Sequence, residues 1–130
     1  MLVLTIRTDK PEAGLRLFQD DTEVASRVWQ AHRELAETIH LKLQELLDEA
    51  DMSLNDIQGI VCYKGPGSFT GLRIGMSVAN ALACSLQIPS IAANGKDWQQ
   101  QGVSQLASGQ TDSVMLPEYG GQIHITQQKK

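Results

Sequence analysis

Apolar residues change their spacing several times along this chain, and each change marks an element. "MLVLTI" opens as an unbroken apolar run suited to a buried strand. "AGLRLFQDDTEVASRVW" then alternates apolar and polar about Asp20-Asp21, which predicts strands over 13–18 and 23–29 joined by a tight acidic turn. The opening is therefore a three-stranded meander. From His32 the spacing becomes helical: Leu35, Ile39, Leu43, Leu46, Leu47 and Ala50 recur three and four residues apart, with Glu34, Glu37, Lys42, Glu45 and Asp48 between them. That amphipathic helix ends near Asp51. In "SLNDIQGIVCYKG", Ile57, Ile60, Val61 and Cys62 predict a central strand closing on glycine. A second helix runs from about Phe69 to Leu86, and Pro89 marks its exit into a short strand, "SIAA".

The order β-β-β-α-β-α-β predicts an α/β fold, a mixed sheet of about five strands with helices packed on it. Past Asn94 the pattern weakens. "KDWQQQGVSQLAS" offers a helix, "SVMLPEY" and "QIHIT" offer short strands, and "TQQKK" reads as a frayed end.

The 130 residues suffice for one domain with a real core. A net charge of −4 argues against autonomous binding of nucleic acid, which needs a basic surface. It leaves open a place in a complex whose other subunit grips the nucleic acid. No apolar run reaches the ~20 residues of a membrane span, and "MLVLTI" is too short for a secretory leader. The expectation is a cytoplasmic protein with no membrane attachment. Cys62 and Cys84, both in apolar company, read as buried free thiols of a reducing compartment.

Candidate chemistry concentrates in the turn Gly65, Pro66, Gly67, Ser68, Phe69, Thr70, Gly71, followed by Arg73. A Walker A loop fails, because the fifth residue after Gly65 is Thr70 and no lysine follows. A Rossmann fingerprint fails because the third glycine arrives one residue late, at Gly71, with no acid about twenty residues on. Two readings stay open: a helix start whose amides attract an anion, or a tight turn at Pro66 with Ser68 or Thr70 as helix cap. Ser68 does not give Gly-x-Ser-x-Gly, and HExxH is absent. His32 and His40 stand eight apart, and nothing places them or His124 beside Ser68. Hydrolase chemistry is not expected.

The second helix carries a ridge nearly free of side chain: Gly71, Gly75, Ala79 and Ala83 at four-residue intervals, with Leu72, Ile74, Val78, Leu82 and Leu86 beside it. Glycine inside a helix costs about 1 kcal/mol relative to alanine, so the ridge needs a close contact to offset it. Either the first helix of the same chain provides that contact, or both helices present a face to a second protein.

"GPGSFTGLRIG", Gly65 to Gly75, resembles the signature of the TsaB (YeaZ) family of tRNA threonylcarbamoyladenosine biosynthesis proteins. The resemblance covers roughly residues 1–95. It implies the actin-like, ribonuclease H-like lobe shared by sugar kinases, Hsp70 and actin, over residues 1–94. Residues 95–130 are then an extension and tail where typical members have a second lobe, and "LPEYGGQIHITQQKK" resembles the closing residues of some members.

The family resemblance also implies a non-catalytic scaffold that pairs with the paralogue TsaD, the tRNA-modifying transferase, joined by the ATPase TsaE. Its tRNA contact would be indirect. It implies no cofactor in the isolated chain, with a nucleotide at the complex interface left open. The partner surface, for TsaD or a second copy in a homodimer, is expected at Ile39, Leu43, Leu46, Gly71, Leu72, Gly75, Met76, Ala79 and Ala83. The alternative is a nucleotide-binding protein or small-molecule enzyme using the Gly65–Gly71 turn. Two positions depart from the family pattern. Arg7, followed by Thr8 and Asp9, stands where members keep a metal-site acid, and Leu35 stands where they carry a histidine. A guanidinium cannot coordinate magnesium, though it can pair with phosphate.

Overall fold

The computed structural model describes residues 1–112 and 114–116. Five strands, β1 (Leu2–Arg7), β2 (Glu12–Gln19), β3 (Thr22–Gln30), β4 (Gly59–Tyr63) and β5 (Ser90–Ala93), form one sheet in the order β3-β2-β1-β4-β5. The first three are the antiparallel meander read from period-two alternation. β4 and β5 run parallel to β1 and to each other, Thr5 lying opposite Val61 and Val61 opposite Ile91. Parallel neighbours require crossovers, which the helices supply. On β3 the register slips by one residue, leaving Val24 as the extra residue between the pairs Leu17–Ala25 and Phe18–Glu23.

Strand alternation sorts the core into two layers. Leu2, Leu4, Ile6, Leu15, Leu17, Ile60 and Cys62 belong to the layer covered by α1 (Leu35–Glu49) and α2 (Phe69–Leu86). α1 contributes Leu35, Ile39, Leu43, Leu46 and Leu47, which are its buried residues. On the other face Val3, Val61, Tyr63 and Ile91 pack with Trp98, Val103 and Leu106 of α3 (Trp98–Ala107), the helix offered by "KDWQQQGVSQLAS". α3 lies mainly over β4 and β5, with Gln99 reaching across to accept from the Thr5 hydroxyl on β1 (2.9 Å). Toward β2 and β3 that face is less fully covered by it.

After α3 the chain rounds the β5 edge. Asp112 N–H donates to the Ser90 carbonyl (2.7 Å), while Ala92 N–H donates to Asp112 Oδ2 (2.8 Å). The chain then reaches α2, where the Asn80 amide exchanges two hydrogen bonds with the Met115 backbone (3.0 and 2.9 Å). Met115 is buried in the α1/α2 layer. Val114 to Leu116 are not in a strand, which corrects the expectation for "SVMLPEY" over those residues. The rest of that segment, with "QIHIT", His124 and "TQQKK", lies outside the described residues.

The thiols also differ from expectation. Cys62 is buried, but Cys84 is exposed. The sheet covers one side of α2, and Cys84 is on the other. Burial pushes the Cys62 thiol up to about 12, so its thiolate is negligible near neutrality. A thiol reagent at pH 8 is expected to modify one cysteine, Cys84, quickly and Cys62 only on unfolding. Two rapid equivalents from native protein would contradict this arrangement.

Candidate functional site

The ends of β1 and β4, adjacent and parallel, bring together Arg7, Thr8 and Asp9 with the glycine-rich turn. Gly65 has φ of 106°, a backbone conformation that favours glycine, and the Gly65–Pro66 bond is cis. Ser68 N–H donates to the Asp9 carbonyl (2.9 Å), and the Ser68 hydroxyl caps α2 by accepting from Gly71 N–H (3.3 Å). Of the two capping candidates, Ser68 is therefore the cap. Thr8 Oγ1 donates to the Gly71 carbonyl (2.8 Å). A Cβ on Gly71 would collide with the Thr8 carbonyl oxygen, and one on Gly75 with Thr8 Oγ1.

This contact corrects the reading of the ridge. The space left by Gly71 and Gly75 is filled by Thr8 of the same chain, at the end of β1, and Ala79 is fully buried in the core. Ile39, Leu43, Leu46, Leu72 and Met76 are core residues as well, so none of them is open to a partner. Gly71 and Ala83 are half-buried. Glycine spacing records that something approaches closely; it does not say what.

The departure at Arg7 has an internal solution. Arg7 donates from Nε to Asp9 Oδ1 (2.7 Å) and from Nη2 to Oδ2 (3.1 Å), a bidentate pair with Asp9 only 7% exposed. The guanidinium stacks over the Tyr63 ring at 4.2 Å, and Tyr63 meets Trp98 edge-on at 5.5 Å. The hydrogen bond to Asp9 raises the Arg7 pKa above its usual value, against an opposing effect of burial. Both carboxylate oxygens of Asp9 are thus engaged. Among the described residues no cluster of three His, Cys, Asp or Glu side chains could hold a metal ion. Arg7→Met is expected to destabilise the fold by about 1–3 kcal/mol in urea unfolding, because it strands a buried carboxylate. Arg7→Met with Asp9→Asn should recover much of that loss. A single variant as stable as the parent would show the pair to be incidental.

What the two helices turn outward is a groove of about 470 Å³ lined by Ala36, His40, Phe69, Thr70, Arg73, Ile74, Ser77 and Val78. Phe69 is 51% exposed and lies under the Arg73 guanidinium at 5.3 Å. Only Leu72, Gly75, Met76 and Ala79 of the 18 residues of α2 are buried, although the helix is apolar nearly all round. The motif residues Phe69, Thr70 and Arg73 therefore sit at an accessible surface, with Pro66, Gly67 and Ser68 exposed beside them and Gly65 buried. Ala36, His40, Ile74, Ser77 and Val78 were outside the predicted interface set. Their signal was present: Ala36 and His40 stand four apart on α1, on the exposed flank beside the buried stripe of Ile39 and Leu43.

A five-stranded mixed sheet with two helices on one face and a third on the other, hinged on a glycine-rich turn against the end of β1, defines an actin-like α/β lobe. Residues 29–121 match the family model described as TsaD, tRNA N6-adenosine threonylcarbamoyltransferase. The TsaB protein of Bacillus subtilis (strain 168), a tRNA threonylcarbamoyladenosine biosynthesis protein, is 36% identical over 104 residues, covering 74% of this chain and 45% of that protein. The TsaB of Escherichia coli (strain K12) is 33% identical over 102 residues, covering 78% and 44%. The solved structure of YeaZ from Pseudomonas aeruginosa superposes with a TM-score of 0.67 at 30% identity, covering 72% of this chain and 43% of that one. The chain belongs to the TsaB (YeaZ) family. It spans less than half the length of these relatives.

Proposed function

We propose that this chain is a non-catalytic subunit of tRNA N6-threonylcarbamoyladenosine biosynthesis that pairs with a TsaD-type transferase. A TsaE-type ATPase would join the assembly, tRNA would be met only through the partner, and the setting is the cytoplasm. One observation carries this reading: α2, an apolar helix, buries four residues and leaves an open groove against α1 with Phe69 at its rim. Exposed aromatic side chains beside an apolar groove are the usual anchors of protein interfaces. The same face would serve a second copy in a homodimer.

The second reading, nucleotide chemistry at the turn, has less to support it. Ser68 N–H and Gly71 N–H are already engaged within the chain, by the Asp9 carbonyl and the Ser68 hydroxyl. Asp9 is neutralised by Arg7 and has no free oxygen for a divalent ion. Calorimetric titration separates the two. The isolated chain should bind a TsaD-type protein and show no saturable affinity for ATP with magnesium. ATP binding without TsaD binding would favour the second reading.

A further inference from the structure

The groove between α1 and α2 carries charge of one sign. It is apolar at Ala36, Ile74 and Val78, cationic at Arg73 and hydrogen-bonding at His40 and Thr70, and no described Asp or Glu lines it. That runs against the balance of the chain, which has 15 acidic side chains to 11 basic ones. We propose that the segment seated in this groove is an apolar stretch of the TsaD-type partner bearing a carboxylate, which pairs with Arg73 at the Thr70 end. The inference rests on the docking reading above and adds the chemistry of what docks.

Most arginines of this chain already have a carboxylate. Arg7 pairs with Asp9, Arg16 with Glu23, and Arg27 with Glu45 and Glu49. Arg33 and Arg73 have no ion-pair partner among the described residues, and of the two only Arg73 lines the groove. What holds its guanidinium is the Phe69 ring, 5.3 Å beneath it. A ring face engages the flat side of a guanidinium and leaves the in-plane N–H groups, which match a carboxylate. α2 starts at this end of the groove, so the positive end of the helix favours the same sign, and its first turn holds no acidic residue to answer it. A neutral segment laid here would take water from Arg73 and return nothing; a basic one would be repelled. A nucleic-acid phosphate would also suit the guanidinium, but it gains nothing from the walls at Ala36, Ile74 and Val78, and the net charge of −4 opposes it.

The test follows association of the full chain with a TsaD-type protein by biolayer interferometry across a range of ionic strengths. The parent should bind more slowly as salt rises. Arg73→Gln should lower affinity about tenfold, mostly through the association rate, and flatten the salt dependence. Arg73→Glu should lower it about 100-fold, and Arg73→Lys should keep the salt dependence while losing part of the affinity. Arg73 is exposed, so these variants should keep the parent's urea midpoint. Lys96→Gln, an exposed charge between β5 and α3, should bind as the parent does. Arg73 variants that match the parent in affinity and salt dependence would overturn the inference and leave the docking reading standing. A parent that does not bind would overturn both. Self-association, or tRNA binding by the chain alone, that Arg73→Gln abolishes while affinity for the TsaD-type protein is unchanged would assign the guanidinium to a second copy or to phosphate, and the inference would fall.

Discussion

Gly71→Ala is expected to destabilise the fold more than any other single methyl addition in the motif, by about 3 kcal/mol or more. The added Cβ would meet the Thr8 carbonyl oxygen, a backbone atom that cannot rotate away. Thr8 is held in place because its hydroxyl donates to the Gly71 carbonyl (2.8 Å). Gly75→Ala should cost less, about 1–3 kcal/mol, because its obstacle is the Thr8 side chain. The pair can be told apart by a cycle. Thr8→Ala should rescue part of the Gly75→Ala loss and none of the Gly71→Ala loss, read from urea midpoints of the three single and two double variants. Gly71→Ala as stable as the parent would mean that β1 and α2 do not approach in this way.

Phe69→Ala is expected to weaken association with a TsaD-type partner about 30-fold, the order of a 2 kcal/mol interface anchor. Phe69 is half exposed and Ser77 is exposed, so variants there should leave the circular dichroism spectrum and urea midpoint near those of the parent. Ser77→Arg, which places bulk and charge in the groove, should weaken binding at least as much. Val24→Ala, on the distant β3 edge, serves as the control. Partner affinity unchanged in both groove variants would remove the α1/α2 face from the interface. This experiment replaces any test built on Gly75 or Ala79, since bulk there strikes the chain's own core before it reaches a partner.

Much of the fold was legible because its signals are strong. Period-two runs located β2 and β3, and α2 runs over Phe69–Leu86 as its spacing predicts, with Ser68 before it and Pro89 beyond. α3 reads weakly because one of its buried positions is Gly102, whose missing side chain is replaced by Val61 packing into the gap. A hydrophobic pattern cannot register a residue that works by being absent. The site was harder. Apolar residues such as Ile39 and Leu46 look adhesive on paper and turn inward, while the accessible groove is built from Ala36, His40 and Ser77, which carry no loud signal. The Arg7–Asp9 pair was likewise hidden, because two residues apart on an extended chain says nothing about which partner a guanidinium will choose.

One consequence follows for how copies of this lobe behave when crowded. Residues 111 and 112 already occupy the outer flank of β5, and the slipped residue at Val24 bends the free margin of β3. Neither margin offers an unbroken ladder along its whole length for another backbone to extend. Strand-to-strand growth is thereby disfavoured at both margins.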